Sequence, residues 1–470
     1  MTALAALLTL SLAFPQDKEA QKADPRFTSI LSASEQKQLN GKMRAWFDAA
    51  IDLDSETATG PKRDELRRKE RLALEALVKD WEKVAPLDKK GDLLKHLGDM
   101  RAILKNAVPY KSQTGSGEVK SLKPKEGSAY HVVVPKTYQD TNSYRTIMLV
   151  TGLDAEKKAF AGAKEWFDKT WRGSELADST LFVIPTLDGG LDHEPIPDPG
   201  SEADQKTEND RMNPVRAALG NANSDYRLDP ERLLLDGGKG TSAMLLRLCT
   251  YFPHRFAGII LRHPVEVDKL HLENLTGLPV LLLSSDETKA ACEKLEKTLN
   301  GFQAGACKVI EGKGGYPFAD SKADIAQWAK DVQRDLFRPK VSLVPTHNAW
   351  NDGYWVILDR CDPIESTTEA ERPMLTAEAD AKENRITINC RGVSSYVLRL
   401  NDALVDLDKE VTIVTNGVAE KLKPQRLLLK AMCEPMQKFR DVSPLFTARY
   451  AKQVPPPEKK PAKSEEEKTK

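Results

Sequence analysis

Residues 233–248 read LLLDGGKGTSAMLLRL, an apolar run followed by a glycine-rich turn and an apolar segment at helical spacing. A strand–turn–helix of this kind lifts the residue at its tip clear of the backbone, where a hydroxyl or thiol could attack a substrate. The tip residue here is Lys239. A protonated ammonium is no nucleophile, but it places a positive charge at a helix N-terminus, and Gly238 and Gly240 let a ligand approach the backbone. Gly238, Lys239, Gly240, Thr241 and Ser242 are therefore the candidate site for a small anionic ligand such as a carboxylate or a phosphate. Three other side chains could do chemistry beside it. Ser242 could pair with Lys239 as a substitute nucleophile, although a serine at a helix start ordinarily caps or packs the first turn. His263, near the end of AGIILRHP, is a candidate base, and Asp286, closing PVLLLSSD, is a candidate acid. A lone histidine at a strand end more often has a structural role.

Several other chemistries are excluded or left without support. A phosphate loop needs a glycine five positions before its Gly-Lys pair and a hydroxyl residue directly after the lysine, and Leu233 and Gly240 occupy those places. Asp188, Asp192, His193 and Glu194 lie close together in DGGLDHEPIPDPG, but no second histidine stands at ligand spacing, so a solvated loop is expected there and no metal. No cofactor motif is present. Lysine plus arginine (70) balance aspartate plus glutamate (70), which removes the global field that would favour nucleic acid. The six cysteines, Cys249, Cys292, Cys307, Cys361, Cys390 and Cys433, make neither a zinc pattern nor a disulfide scaffold in a chain of this length.

The elements that must hold these residues fall into three stretches. Residues 24–110 carry three segments at helical period, EQKQLNGKMRAWFDAAIDL, DELRRKERLALEALVKDWEKV and DKKGDLLKHLGDMRAILKNAV, which predict a small helical module. SQTGSGEVKSLKPKEGS has no apolar face and reads as a linker. Over residues 128–337, short apolar runs (YHVVVP, RTIMLVTG, TLFVIPT, RLLLDGG, FAGIILRHP, LPVLLLSSD, ACKVIEG) alternate with helix-length segments, the pattern of a mostly parallel sheet covered on both faces. Such sheets place their sites beyond the carboxyl ends of the strands. Residues 338–452 change to polar–apolar alternation (YWVILDR, RITINC, SYVLRLND, EVTIVTNG) without intervening helices, predicting an antiparallel β domain. Residues 453–470, PPPEKK and onward, are expected to be disordered. At the other end, residues 1–23 open with a short apolar run and a small-residue SLA, the pattern of a signal peptide, so the chain is expected to be exported. No later run is long enough to span a bilayer.

RLDPERLLLDGGKGTSAMLLRLCTYFPHRFAGII resembles the esterase and prolyl-oligopeptidase-like branch of the α/β-hydrolase family, where Asp-Pro-x-Arg, a strand, G-x-S-x-G and a helix ending in Tyr-Pro-x-x-Phe recur. The resemblance covers roughly 130–337, and the β region behind it resembles a domain found after such hydrolase domains in secreted bacterial proteins. It implies that Gly237 matches the first elbow glycine, Lys239 the nucleophile, Thr241 the second glycine and Asp286 the acid. The family's histidine falls on Gly314 or Gly315 in EGKGGYP. Loss of nucleophile or base alone costs about a millionfold in kcat in a well-studied serine hydrolase. The expectation is a catalytically inactive hydrolase-like protein that binds a ligand or partner or acts as a scaffold. The alternative is a serine-type ester or peptide hydrolase with a centre rearranged around Ser242, Lys239, His263 and Asp286.

Overall fold

The computed structural model describes residues 26–55, 59–124, 128–151, 159–187, 201–267, 270–364 and 371–455. The expected leader, the acidic loop with Asp188, Asp192, His193 and Glu194, and nearly all of the tail lie outside these residues.

The chain begins with helices α1 (Ala33–Ser55) and α2 (Pro61–Val84), whose charged and apolar faces separate as their periodicity predicts. The third helical segment is broken. It yields a single turn α3 (Leu87–Lys90), a 3-10 turn, and α4 (Leu97–Leu104), because Gly91 takes a left-handed φ of 72° that ends the first turn.

Eight strands then form one sheet: β1 (Val119–Leu122), β2 (Tyr130–Val133), β3 (Tyr144–Val150), β4 (Leu181–Pro185), β5 (Leu228–Gly237), β6 (Gly258–Leu261), β7 (Val280–Ser284) and β8 (Cys307–Glu311). Their order is β1-β2-β4-β3-β5-β6-β7-β8, and every pair from β4 to β8 is parallel. The first two strands pair antiparallel. Between the strands run α5 (Ala159–Thr170), α6 (Glu202–Asp225), α7 (Ser242–Tyr251), α8 (Lys289–Phe302) and α9 (Lys322–Asp331). β3, β4 and β6 are buried along their whole length, with separate apolar clusters on the two sheet faces, which is why their sequences are continuous apolar runs. This is the α/β-hydrolase fold. One strand was not legible as such: β1 comes from the segment read as a linker, since only Val119 of its four residues is buried.

The C-terminal region forms two further sheets. β10 (Asp352–Gly353), β11 (Val356–Cys361), β14 (Val393–Leu400) and β17 (Ala448–Gln453) make one, in the order β10-β11-β14-β17. β9 (Lys340–Leu343), β12 (Met374–Asp380), β13 (Arg385–Arg391), β15 (Val411–Thr415) and β16 (Val418–Leu422) make the other, in the order β16-β15-β13-β12-β9. All pairs are antiparallel except β13 with β15. A helix interrupts the expected run of strands, α10 (Leu429–Phe439), with Met432, Cys433 and Met436 on its buried side.

The helical module does not stand apart. Trp46, Phe47, Met100 and Ile103 belong to the same buried apolar cluster as Ile386, Ile388, Tyr396 and Met432 of the β region. The sheet is tied to that region by buried charge. Arg334 donates to both carboxylate oxygens of Asp441, at 3.2 and 3.0 Å, and to the carbonyl of His254. The His254 ring lies 3.8 Å from Asp352, which also faces Arg399.

Two outcomes follow. Trp46→Ala should lower stability by about 3–5 kcal/mol in chemical denaturation, while Leu428→Ala, at an 80% exposed site, should stay within about 0.5 kcal/mol. Burial holds the His254 imidazole well below the usual histidine range, with Asp352 offsetting only part of the effect. The unfolded chain therefore takes up a proton near pH 6.5 that the folded chain refuses. This group's contribution to the unfolding free energy should be flat above that pH and fall below it, by up to about 1.4 kcal/mol per pH unit, and in chemical denaturation His254→Gln should remove that part of the slope.

Candidate functional site

The elbow sits where β5 ends at the C-terminal edge of the sheet. Gly237 pairs with Val150 of β3 and with Leu261 of β6. Gly240 turns the chain into α7 at a φ of 80°, a left-handed conformation that glycine adopts without strain. Thr241 locks the turn: its hydroxyl donates to the Val150 carbonyl at 2.8 Å and accepts from the Gly238 amide at 3.0 Å. Gly238 is required by space. A Cβ there would come within 2.4 Å of the Tyr316 hydroxyl and 2.5 Å of the Trp166 ring.

Beneath the turn lies a group of buried polar residues. Asp236 and Arg262, both fully buried, form a two-pronged pair: Nε donates to Oδ1 at 2.8 Å and Nη2 to Oδ2 at 2.9 Å. The Trp171 indole donates to the same carboxylate at 2.7 Å, and the remaining Arg262 nitrogen donates to the Pro317 carbonyl at 2.9 Å. Four segments meet at one charge pair. The guanidinium fork matches a carboxylate in shape, so the desolvation cost is met by charge-assisted hydrogen bonds on every side.

The candidate chemical groups are placed as follows. Lys239 is exposed, and among the described residues it forms no ion pair with Asp286. Its backbone N–H donates to the Tyr316 hydroxyl at 2.8 Å. Asp286 is also exposed, in the Ser285–Thr288 turn after β7. The Ser242 hydroxyl is engaged by backbone, with the Gly238 carbonyl at 3.1 Å and the His263 carbonyl at 3.0 Å. No hydrogen bond joins it to an imidazole, to Lys239 or to a carboxylate among the described residues. The His263 ring is half-buried, 6.1 Å edge-on from Tyr316, and is held below the usual histidine range by burial and then by the Lys239 ammonium. Gly314 and Gly315 take φ of 81° and 65°, and a Cβ on Gly314 would meet the Asp320 carboxylate at 2.4 Å. A histidine has no room at Gly314, whereas a Cβ on Gly315 would meet only the strain of its left-handed backbone.

Tyr316 is the residue that sequence reasoning missed. It follows the two glycines, packs against Trp166 and Phe318, and puts its phenol oxygen on the elbow amide. The turn glycines gave a loop but not its direction. Asp236 and Arg262 did carry a signal: each is a charge at the end of an otherwise apolar buried run, and buried charges require partners.

Arg262→Met should leave the Asp236 carboxylate buried without its counter-ion and cost about 3–5 kcal/mol in chemical denaturation. Pairing it with Asp236→Leu should recover part of that loss, because the uncompensated charge is then gone.

No family model matches the chain, and no curated protein matches it. Solved structures resemble part of the chain. A thermostable esterase aligns at 15% identity over 46% of this chain and 63% of its own, with a TM-score of 0.35. A fluorophosphonate-binding serine hydrolase of Staphylococcus aureus aligns at 11% identity over 46% of this chain and 98% of its own, TM-score 0.32. A prolyl endopeptidase aligns at 13% identity over 46% and 38%, TM-score 0.30. At these identities and scores the likeness carries nothing about activity, and the fold stands on the strand order and pairing described above.

Proposed function

We infer that this chain is an exported, catalytically inert hydrolase-like protein that works by binding a small anionic ligand or a protein partner at its elbow. The observation that carries the reading is the state of position 239. The attacking group of an acyl-transfer centre is replaced by an exposed ammonium, and the backbone N–H of that residue is taken by the Tyr316 phenol. A centre of this type needs a hydroxyl beside an imidazole whose tautomer a carboxylate fixes. The nearest hydroxyl, that of Ser242, is bonded to backbone carbonyls. Exposure of Lys239 without an ion pair to Asp286 favours a binding role over a lysine kept only as a buried counter-ion. Export rests on the apolar leader pattern of the first residues.

The test is hydrolysis of a short-chain p-nitrophenyl ester and an aminoacyl anilide by purified protein. The expected rate is that of buffer alone, and Lys239→Ser should not raise it, because the base is still missing. A rate that disappears on Ser242→Ala or His263→Ala would overturn the reading and establish the rearranged centre.

A further inference from the structure

We propose that the elbow receives a carboxylate carried on an apolar body, and that the carboxylate displaces the Tyr316 phenol from the Lys239 amide. This rests on the reading of the elbow as a non-catalytic binding site. Three sets of observations support it.

The first is positive charge at a helix start without a side-chain cap. The Lys239 ammonium is exposed, and α7 begins with no side chain capping its first turn. Uncapped helix amides and a lysine on the same turn favour an anion. The second is unpartnered polarity. Thr151 stands one residue beyond the Val150–Gly237 register pair and is 1% exposed, and its hydroxyl has no hydrogen-bond partner among the described residues. The indole N–H of Trp166, whose ring closes the space above Gly238, is buried and also has no partner among the described residues. Buried polar groups seldom stay unpaired unless something absent pairs them.

The third is the rim. Phe160, Val265 and Tyr316 are 44%, 37% and 42% exposed, and they lie on the segments that leave β3, β6 and β8 at the same edge of the sheet. Exposed large apolar side chains at the sheet edge that carries the lysine, with Tyr316 itself on the elbow, suit an aryl or acyl body behind a single negative charge. Asp286 and Glu287, after β7, oppose a doubly charged phosphate more than a carboxylate.

The Tyr316 phenol already shows what the elbow amide donates to: an oxygen, at 2.8 Å. A ligand oxygen can take that place only by breaking the phenol bond. Removing the hydroxyl while keeping the ring should therefore help the ligand.

The experiment titrates the full chain with phenylacetate, phenylacetamide and inorganic phosphate, reading calorimetry and amide shifts at Gly238–Ser242. Phenylacetate should bind, and the amide and phosphate should bind at least about tenfold more weakly. Lys239→Met should weaken phenylacetate by about tenfold to a few hundredfold. Tyr316→Phe should tighten it by about three- to tenfold, the worth of one neutral hydrogen bond. An acetylated peptide ending in free phenylalanine serves as a second arm. Binding by it with the same lysine dependence makes a chain terminus the source, and binding by phenylacetate alone makes it a free acid.

Absence of binding by both carboxylates would overturn the proposal, as would an unchanged affinity in Lys239→Met or weaker binding in Tyr316→Phe, with thermal unfolding confirming that each variant is folded. Ester turnover would instead overturn the non-catalytic reading of the elbow. An inert protein that ignores carboxylates loses this proposal alone.

Discussion

The Asp236–Arg262 pair is the interaction on which the site depends. Asp236 ends the apolar part of β5 one residue before the elbow, and Arg262 follows β6 directly, so the pair binds two neighbouring strands at the point where both release their chains. Through Trp171 it reaches the segment after α5, and through the Pro317 carbonyl it reaches the loop that carries Tyr316. Each contact is a hydrogen bond to a charge in a site without solvent, where removal of either partner is costly. The height of the elbow, the position of Trp166 beside Gly238 and the phenol on the Lys239 amide all rest on this base.

Rigidity beneath the elbow does not by itself make a catalyst. The turn and the helix N-terminus are in place, with Lys239 exposed at the tip and Gly314 and Gly315 in the loop before Tyr316. Tyr316 fills the space near the elbow, and its oxygen takes a backbone donor there. The proposed binding role rests on that arrangement: a cation exposed at the turn, and a Ser242 hydroxyl held by backbone carbonyls.

Much of this was legible in the sequence, and the parts that were not share a physical cause. β3 to β7 announced themselves because a strand buried on both faces reads as a continuous apolar run, and the elbow because glycine spacing marks a turn. β1 escaped because an edge strand with one buried residue has no apolar signature. α10 escaped because it lies among strands and carries Pro435 in its interior, a residue that breaks the helical pattern. The joining of the N-terminal helices to the C-terminal sheets in one core was hidden for another reason. Periodicity marks which face of α1 is apolar, but not which partner covers it, and Trp46 finds its cluster with Ile386 and Tyr396 some 340 to 350 positions later. Tyr316 was illegible because its role depends on where a glycine-rich loop points.

The central claim is that no nucleophile operates at this elbow, and covalent labelling tests it most directly. A fluorophosphonate reacts with an activated serine whatever the natural substrate, so the result does not depend on guessing that substrate. Intact mass measured after incubation with such a probe should be unchanged, because the Ser242 hydroxyl is bonded to carbonyls and, among the described residues, to no imidazole or carboxylate. Stoichiometric addition of one phosphonyl group, mapped to Ser242 or to any residue between Gly237 and Thr241, would contradict the account.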